Sequence, residues 1–230
     1  MNTIKMRVAF YSSIICVRGS SVALYDYAHY NETILGNESV ILVPESGLKE
    51  SNPFGMRKFV ARFKVVSFTD LEKTLETEKC DVLYCIKYGT KDGIVSTRIK
   101  TVIHCVFDMS EPHGDVYAGV SSTLARKFGK SLFVPHMIGL RPSMTGKNLR
   151  EKLGIPKEGV VFGRYGGEDT FRLDFCQRAI ARIVNEDKNI YFAFINTPRF
   201  INHPKVFYLD KITEEDDKNL FICTCDAHLE

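Results

Sequence analysis

The chain has 230 residues, 44% of them hydrophobic and 26% charged, and its 31 basic and 28 acidic side chains give a formal net charge of +3. Its 16 glycines and 8 prolines are ordinary numbers, so collagen-like and disordered classes are excluded, and the length fits one large domain or one and a half average ones. So small an excess of charge, with basic residues grouped only in pairs, predicts no strong binding to nucleic acid.

The first part of the chain alternates short apolar strands with helices. Strands are predicted at 7–12, 39–44, 64–68, 81–86, 100–107, 116–120 and 132–135. A glycine-bearing turn at 18–21 precedes one helix, Thr69 and Glu72 form a capping-box pattern for a second that reaches about Lys79, and Ser121 caps a third. Because the strands are continuously apolar instead of alternating, helices should cover both faces of a parallel sheet.

The composition changes at 139–147, which is predicted to be a linker between a domain of residues 1–145 and a second of residues 146–230. The second part is predicted to contain a short helix at 149–153, a strand at 159–162, a glycine turn at 163–167, an amphipathic helix at 169–185, strands at 190–195 and 205–209 and a helix from 213. Both parts therefore begin with strand, glycine turn and helix. We expect an α/β protein with two Rossmann-like domains facing across a cleft, with ligands at the carboxyl ends of the strands.

The two glycine turns are the first candidates for binding phosphate. Gly19 and Ser20 would present backbone N–H groups at a helix N-terminus. Gly163 would allow close approach of backbone, and the Arg164 guanidinium at the end of a strand suits a diphosphate. Arg172, expected in the following helix, could add a second positive charge. The alternatives are an ordinary connection for the first turn and surface ion pairs for the arginines.

Three further residues are candidates on chemistry and position. His104 ends an apolar strand, although a histidine in such a string is more often a core residue. His113 and Asp115 lie in a polar loop bounded by proline and glycine, where a surface turn is the alternative. Together with Arg18 in the first turn, His113 and Asp115 are therefore candidate contacts for a ligand.

Several kinds of cofactor are not indicated. The first turn lacks the Gly-x-Gly-x-x-Gly fingerprint of dinucleotide binding, so an NAD-dependent dehydrogenase is weakly supported. No Asp-x-Asp pair occurs, and Cys223 and Cys225 have no nearby partners that would complete a zinc site. We therefore expect no metal and no cofactor.

No apolar stretch approaches the length that spans a bilayer, and the start lacks the features of a secretion signal. The seven cysteines are an odd number scattered through apolar strings, typical of buried thiols in a reducing compartment. We expect a cytoplasmic protein without a transmembrane segment.

The order of these motifs resembles the GT-B glycosyltransferases, specifically the retaining family-4 type. The similar segments are the first turn with its helix at 18–28, Thr101 to His104, Gly119 to Ser121, Val134 to Ile138, Gly163-Arg164 and Cys225 to Ala227. The segment 111–117 also resembles a small subgroup of such enzymes from bacteria and large DNA viruses. The resemblance implies an acceptor-side domain at 1–145, a nucleotide-sugar domain at 146–230, and a contact of His104 with the transferred sugar. On the same reading, Arg18, His113 and Asp115 would contact the acceptor or a sugar.

Two departures from the family are visible. The lysine that follows Gly-Arg in the family is not found, and Arg172 is the nearest substitute. The Glu-rich donor motif would follow Ala227, where only three residues remain, so we expect the second domain to be incomplete.

The resemblance thus implies a transferase that moves a sugar from a UDP-, GDP- or dTDP-linked donor to a glycan or other hydroxyl acceptor, with retention, and the missing Asp-x-Asp pair predicts that it needs no metal. Arg164 would stabilise the leaving diphosphate, and His104 would position the sugar. The alternatives are a non-catalytic nucleotide- or glycan-binding module on the same fold and a sugar-nucleotide epimerase.

Overall fold

The structure, a computed structural model, describes residues 5–137, 148–167, 170–212 and 214–229. Contacts within the chain divide it into two compact units, Met1–Gly139 and Leu140–Glu230. The predicted linker and the boundary at 145 fall within 138–147, outside the described residues.

The first unit is a six-stranded parallel sheet with helices on both faces. Its strands are β1 (Arg7–Tyr11), β2 (Glu38–Pro44), β3 (Lys64–Phe68), β4 (Val82–Lys87), β5 (Lys100–Cys105) and β6 (Val116–Gly119). Its helices are α1 (Gly19–Thr33), α2 (Glu45–Glu50), α3 (Pro53–Val60), α4 (Leu71–Thr77) and α5 (Ser122–Lys127). The strand order β3-β2-β1-β4-β5-β6 is that of the Rossmann fold, and the order reverses between β1 and β4.

The second unit repeats the first part of this arrangement. It contains β7 (Val160–Tyr165), α6 (Asp174–Glu186), β8 (Ile190–Ile195), β9 (Val206–Leu209), α7 (Glu215–Thr224) and β10 (Ala227–His228). The parallel order β10-β7-β8-β9 matches the order of β4-β1-β2-β3 in the first unit. The predicted α/β class with parallel sheets is therefore confirmed in both units.

Each sheet is buried on both faces, as the continuously apolar strands predict. In β1, Ala9 and Tyr11 pack on the face that carries α4, while Val8 and Phe10 pack on the face that carries α1. The same division in the second unit places Phe162 in one core cluster and Val161 in the other.

Four local features differ from what the sequence predicts. Two short helices, α2 and α3, were not predicted, although Asn52 caps α3 by accepting hydrogen bonds from the N–H groups of Phe54 and Gly55. Residues 132–135 contribute only a bridge between Gly119 and Phe133. Residues 149–153 form turns instead of a helix. The helix expected from 169 begins at Asp174.

A fifth difference from the prediction is the residue that caps α4. Asp70, not Thr69, caps α4, because its carboxylate accepts from the N–H of Lys73. Glu72 accepts instead from Ser96 and Thr97, which fastens the loop between β4 and β5. No helix in the described ranges is long and apolar enough to cross a membrane.

Candidate functional site

The first glycine turn lies at the carboxyl end of β1, where the strand order reverses. Arg18 has an extended backbone and α1 begins at Gly19. The N–H groups of Ser21 and Val22 donate to the Arg18 carbonyl, whereas those of Gly19 and Ser20 have no acceptor in the described part of the chain. The first turn carries no acidic side chain, so the partial positive charge of the helix N-terminus is not offset there.

A pocket of about 190 Å³ opens beside this turn. Its lining includes Arg18 and Ser20, together with Tyr11, Ser12, Ser13 and Cys16. A side chain at Gly19 would meet no atom within 4 Å, so a ligand can approach the backbone there. Ser12, Ser13 and Cys16 were not predicted, although their position directly after β1 is a usable signal.

Ser21 fixes the conformation of this turn. Its side chain is buried, and its hydroxyl accepts a hydrogen bond from the N–H of Cys16 at 3.0 Å. The loop that leaves β1 is thereby tied to the first turn of α1, and the exposed Ser20 is left to face the pocket.

His104 lies near the carboxyl end of β5 and is 1% exposed. The Val134 carbonyl lies 2.7 Å from its Nε2, and because a carbonyl only accepts, Nε2 carries the proton. Nδ1 then accepts from the Tyr84 hydroxyl at 2.7 Å. The ring also contacts Tyr27 and His136. His104 is thus a satisfied buried residue in this structure, and its predicted contact with a sugar stays a prediction.

Burial lowers the pKa of His104 to about 4, and burial also lowers the pKa of His136. The folded protein therefore keeps His104 neutral where the unfolded chain, with a pKa near 6.5, takes up a proton. The contribution of neutral His104 to the free energy of unfolding should therefore be complete above about pH 6.5 and should be lost as the pH falls toward 4, by about 2 kcal/mol between pH 7.5 and pH 5.

Urea unfolding of the wild type and of His104→Gln at these two pH values tests this. The variant keeps a donor for the Val134 carbonyl but has no titrating ring, so its loss of stability should be smaller by about 2 kcal/mol. An equal loss in both proteins would mean that other groups cause it.

His113 and Asp115 occupy the connection from β5 to β6. The Nδ1 of His113 donates to the Glu111 carbonyl at 2.7 Å. Asp115 accepts from Lys100 at 2.7 Å and from the N–H of Thr101 at 2.8 Å, and the Lys100 ammonium lowers its pKa. These contacts place Asp115 where β5 and β6 begin, at the opposite edge of the sheet from Arg18. The structure therefore does not bring the two together.

In the second unit, Arg164 lies near the carboxyl end of β7 and is 6% exposed. Its guanidinium donates to the hydroxyls of Thr197, at 3.0 Å, and Thr170. It also packs over the Phe171 ring, 4.8 Å from the ring centre. Sequence reasoning missed Thr170, Phe171 and Thr197, because only tertiary packing brings them to the arginine.

This guanidinium is buried without a counter-charge among the described residues. Each hydroxyl that accepts from it donates in turn to a backbone carbonyl, of Ile195 for Thr197 and of Gly167 for Thr170. These hydroxyls accept from the two terminal nitrogens but do not neutralise the positive charge. Burial lowers the pKa of Arg164 accordingly, and the arrangement leaves a cation that an anion would stabilise.

Glycine is required at positions 163 and 166, on either side of Arg164, for two different reasons. A side chain at Gly163 would place its Cβ 2.2 Å from the Cys225 Sγ, so Gly163 serves the packing of the α7 face. A side chain at Gly166 would overlap the Arg164 guanidinium at 2.5 Å. Gly166 therefore makes room for the arginine.

Arg172 lies two residues before α6, not inside it, because the helix begins at Asp174. It is exposed on the surface of the second unit. Within the described ranges no group of three or more His, Cys, Asp or Glu could bind a metal ion.

Comparisons with known proteins match this description at the level of the fold. No family model matches the chain, and no curated protein matches its sequence. A glycosyltransferase from Rickettsia africae ESF-5 is similar with a TM-score of 0.60 and 10% identity, over 94% of this chain and 70% of that one. Arabidopsis thaliana UGT89C1 complexed with UDP-L-rhamnose has a TM-score of 0.49 and 10% identity, over 92% and 70% of the two chains. The likeness to the Rickettsia protein shows a shared fold, consistent with the two Rossmann-like units of GT-B glycosyltransferases.

Proposed function

We propose that this chain is a glycosyltransferase that uses a nucleoside diphosphate sugar as donor. The observation that carries the proposal is the buried Arg164, whose charge no described carboxylate balances. A diphosphate supplies the missing negative charge, and its paired oxygens fit the planar guanidinium. The location agrees, since β7 is the strand beside which the order of the second sheet reverses.

The mechanism follows from charge development. When the bond from the sugar to the diphosphate breaks, negative charge grows on the leaving group and the sugar becomes oxocarbenium-like. A preorganised guanidinium stabilises this charge more than it stabilises the intact donor, so Arg164 lowers the barrier. Its contacts with Thr170 and Thr197 fix its orientation before the donor arrives. We extend the proposal to charge neutralisation by this arginine without a metal, and to retention of configuration as the resemblance implies.

The pocket of the first unit is assigned to the acceptor or to a phosphate. The N–H groups of Gly19 and Ser20 lie at the N-terminus of α1 without acceptors in the described part of the chain, and such groups stabilise an oxyanion. Arg18 adds a positive charge to the pocket lining.

Calorimetric titration with UDP-, GDP- and dTDP-glucose tests the donor assignment. We expect one nucleotide to bind, and the corresponding nucleoside without its diphosphate to bind at least about tenfold more weakly, because Arg164 contacts phosphate. Nucleosides that bind as tightly as their diphosphates would contradict the assignment, as would a failure of all three donors to bind.

A non-catalytic nucleotide- or glycan-binding module on the same fold is the second candidate. His104 favours it, because both ring nitrogens are engaged by Tyr84 and Val134 and neither is open to a sugar in this structure. An assay that measures nucleoside diphosphate released on addition of acceptors distinguishes the two candidates. A transferase releases nucleoside diphosphate as it transfers the sugar, whereas a non-catalytic module binds the nucleotide sugar and releases no diphosphate.

A further inference from the structure

Two aromatic side chains lie exposed side by side at the carboxyl edge of the first sheet. Tyr88 directly follows β4 and is 59% exposed, and Phe107 comes two residues after β5 and is 64% exposed. Their ring centres are 5.5 Å apart and the ring planes differ by 36°. Large aromatic rings exposed together cost free energy in water, so a ligand that covers them gains hydrophobic free energy.

The backbone below these rings is fixed. The N–H groups of Phe107 and Asp108 both donate to the Tyr88 carbonyl at 3.0 Å. The Tyr117 hydroxyl donates to the Gly89 carbonyl at 2.7 Å. Lys87 pairs with Asp92 at 2.5 Å and anchors the start of the loop between β4 and β5. The aromatic pair is therefore preorganised, and its exposure is a property of a well-bonded scaffold.

Polar groups border the pair. Asp108 follows Phe107, and hydrogen bonds from Ser110 lower its pKa and keep it ionised. The Glu111 carboxylate, three residues further on, accepts from the backbone N–H of Lys91 at 2.7 Å. Two rings also provide far less than the ~800 Å² per partner that a stable protein interface buries. An apolar platform edged by an ionised carboxylate suits a small ligand that carries hydroxyls.

Resting on the proposed transferase function, we propose that Tyr88 and Phe107 bind a pyranose ring of a glycan acceptor. A pyranose with mainly equatorial hydroxyls presents a face of C–H groups that packs on an aromatic ring, while its rim hydroxyls donate to carboxylate oxygens. The position agrees, because Ile86, two residues before Tyr88, lines the pocket beside Gly19.

The test uses the absence of tryptophan from the sequence. Phe107→Trp keeps an aromatic ring and introduces a single fluorescent reporter. Titration with cellobiose or maltose should change its emission, while sorbitol, which has hydroxyls but no ring face, should not. Adding Tyr88→Ala should weaken the sugar response at least about tenfold. Phe175→Ala removes a 67% exposed ring from α6 and should leave the response unchanged.

The outcomes separate this inference from the proposed function. A sugar response that Tyr88→Ala does not weaken, or no response to either disaccharide, overturns the proposed sugar contact of Tyr88 and Phe107. Nucleotide binding measured by calorimetry still tests the proposed transferase function independently. A self-association that Tyr88→Ala abolishes would identify a second copy of the chain as the occupant and also overturn it. In a transfer assay, the same substitution should raise the acceptor KM about tenfold and leave donor binding unchanged.

Discussion

Arg164→Ala should lower kcat/KM for sugar transfer roughly 30- to 900-fold, which corresponds to a loss of about 2 to 4 kcal/mol of transition-state stabilisation. The reason is that the substitution removes the only cation that the structure shows buried near the end of β7, where the leaving diphosphate is proposed to bind. The measurement is steady-state transfer with the donor that binds in calorimetry.

Two variants make this result specific. Arg164→Lys retains a positive charge but not the planar fork that contacts both Thr170 and Thr197, so it should recover part of the activity. Arg178→Ala removes an exposed guanidinium from α6 and should leave kcat/KM unchanged. Turnover of Arg164→Ala within a factor of two of the wild type, in a protein with unchanged circular dichroism, would refute the leaving-group role.

Gly89→Ala should destabilise the protein by about 4 kcal/mol, from backbone strain together with overlap. Gly89 has φ +131°, a conformation that residues with a side chain rarely adopt, and its Cβ would lie 1.8 Å from the Asp108 carbonyl oxygen. Because that carbonyl belongs to the backbone, neither loop can yield without breaking the hydrogen bonds to Tyr88. Urea unfolding measures the change.

Gly93→Ala is the matched control for this substitution. Gly93 also has a positive φ, +79°, but no atom lies within 4 Å of its Cβ position. Its replacement should cost only about 1 kcal/mol, for the backbone alone. Equal losses in the two variants would show that the close approach of the loops at Gly89 is not what requires glycine there.

The sequence indicated the layered fold because its signals are local. The continuously apolar strands at 39–44 and 190–195 predict burial on both faces, and β2 and β8 confirm it. Ser121 predicts a helix start, and its hydroxyl accepts from the N–H of Leu124 as a cap should. By contrast, α3 was missed although Asn52 and Pro53 carry its start signal, because its eight residues offered too little periodicity.

The candidate site was predicted as a set of residues but not as a geometry. Gly19 and Arg164 could be singled out because glycine turns after strands are recognisable in the sequence. The burial of Arg164 could not be predicted from the sequence, since one of its hydroxyl partners, Thr197, lies 33 residues away. Asp115 was grouped with Arg18 by its polarity, whereas the pairing of β5 with β6 places it at the other edge of the sheet.

The sequence by itself therefore determined most of the strands and helices, though not α2 and α3, and it also determined that the sheets are parallel and covered and which residue types could bind phosphate. These properties follow from propensity, capping and periodicity, which neighbouring residues express together. The tertiary structure alone decided that β1 lies between β2 and β4, that His104 is closed off by Tyr84 and Val134, and that Tyr88 and Phe107 share one exposed surface. The physical reason is that contacts between distant residues depend on strand order and helix packing, which no local pattern encodes.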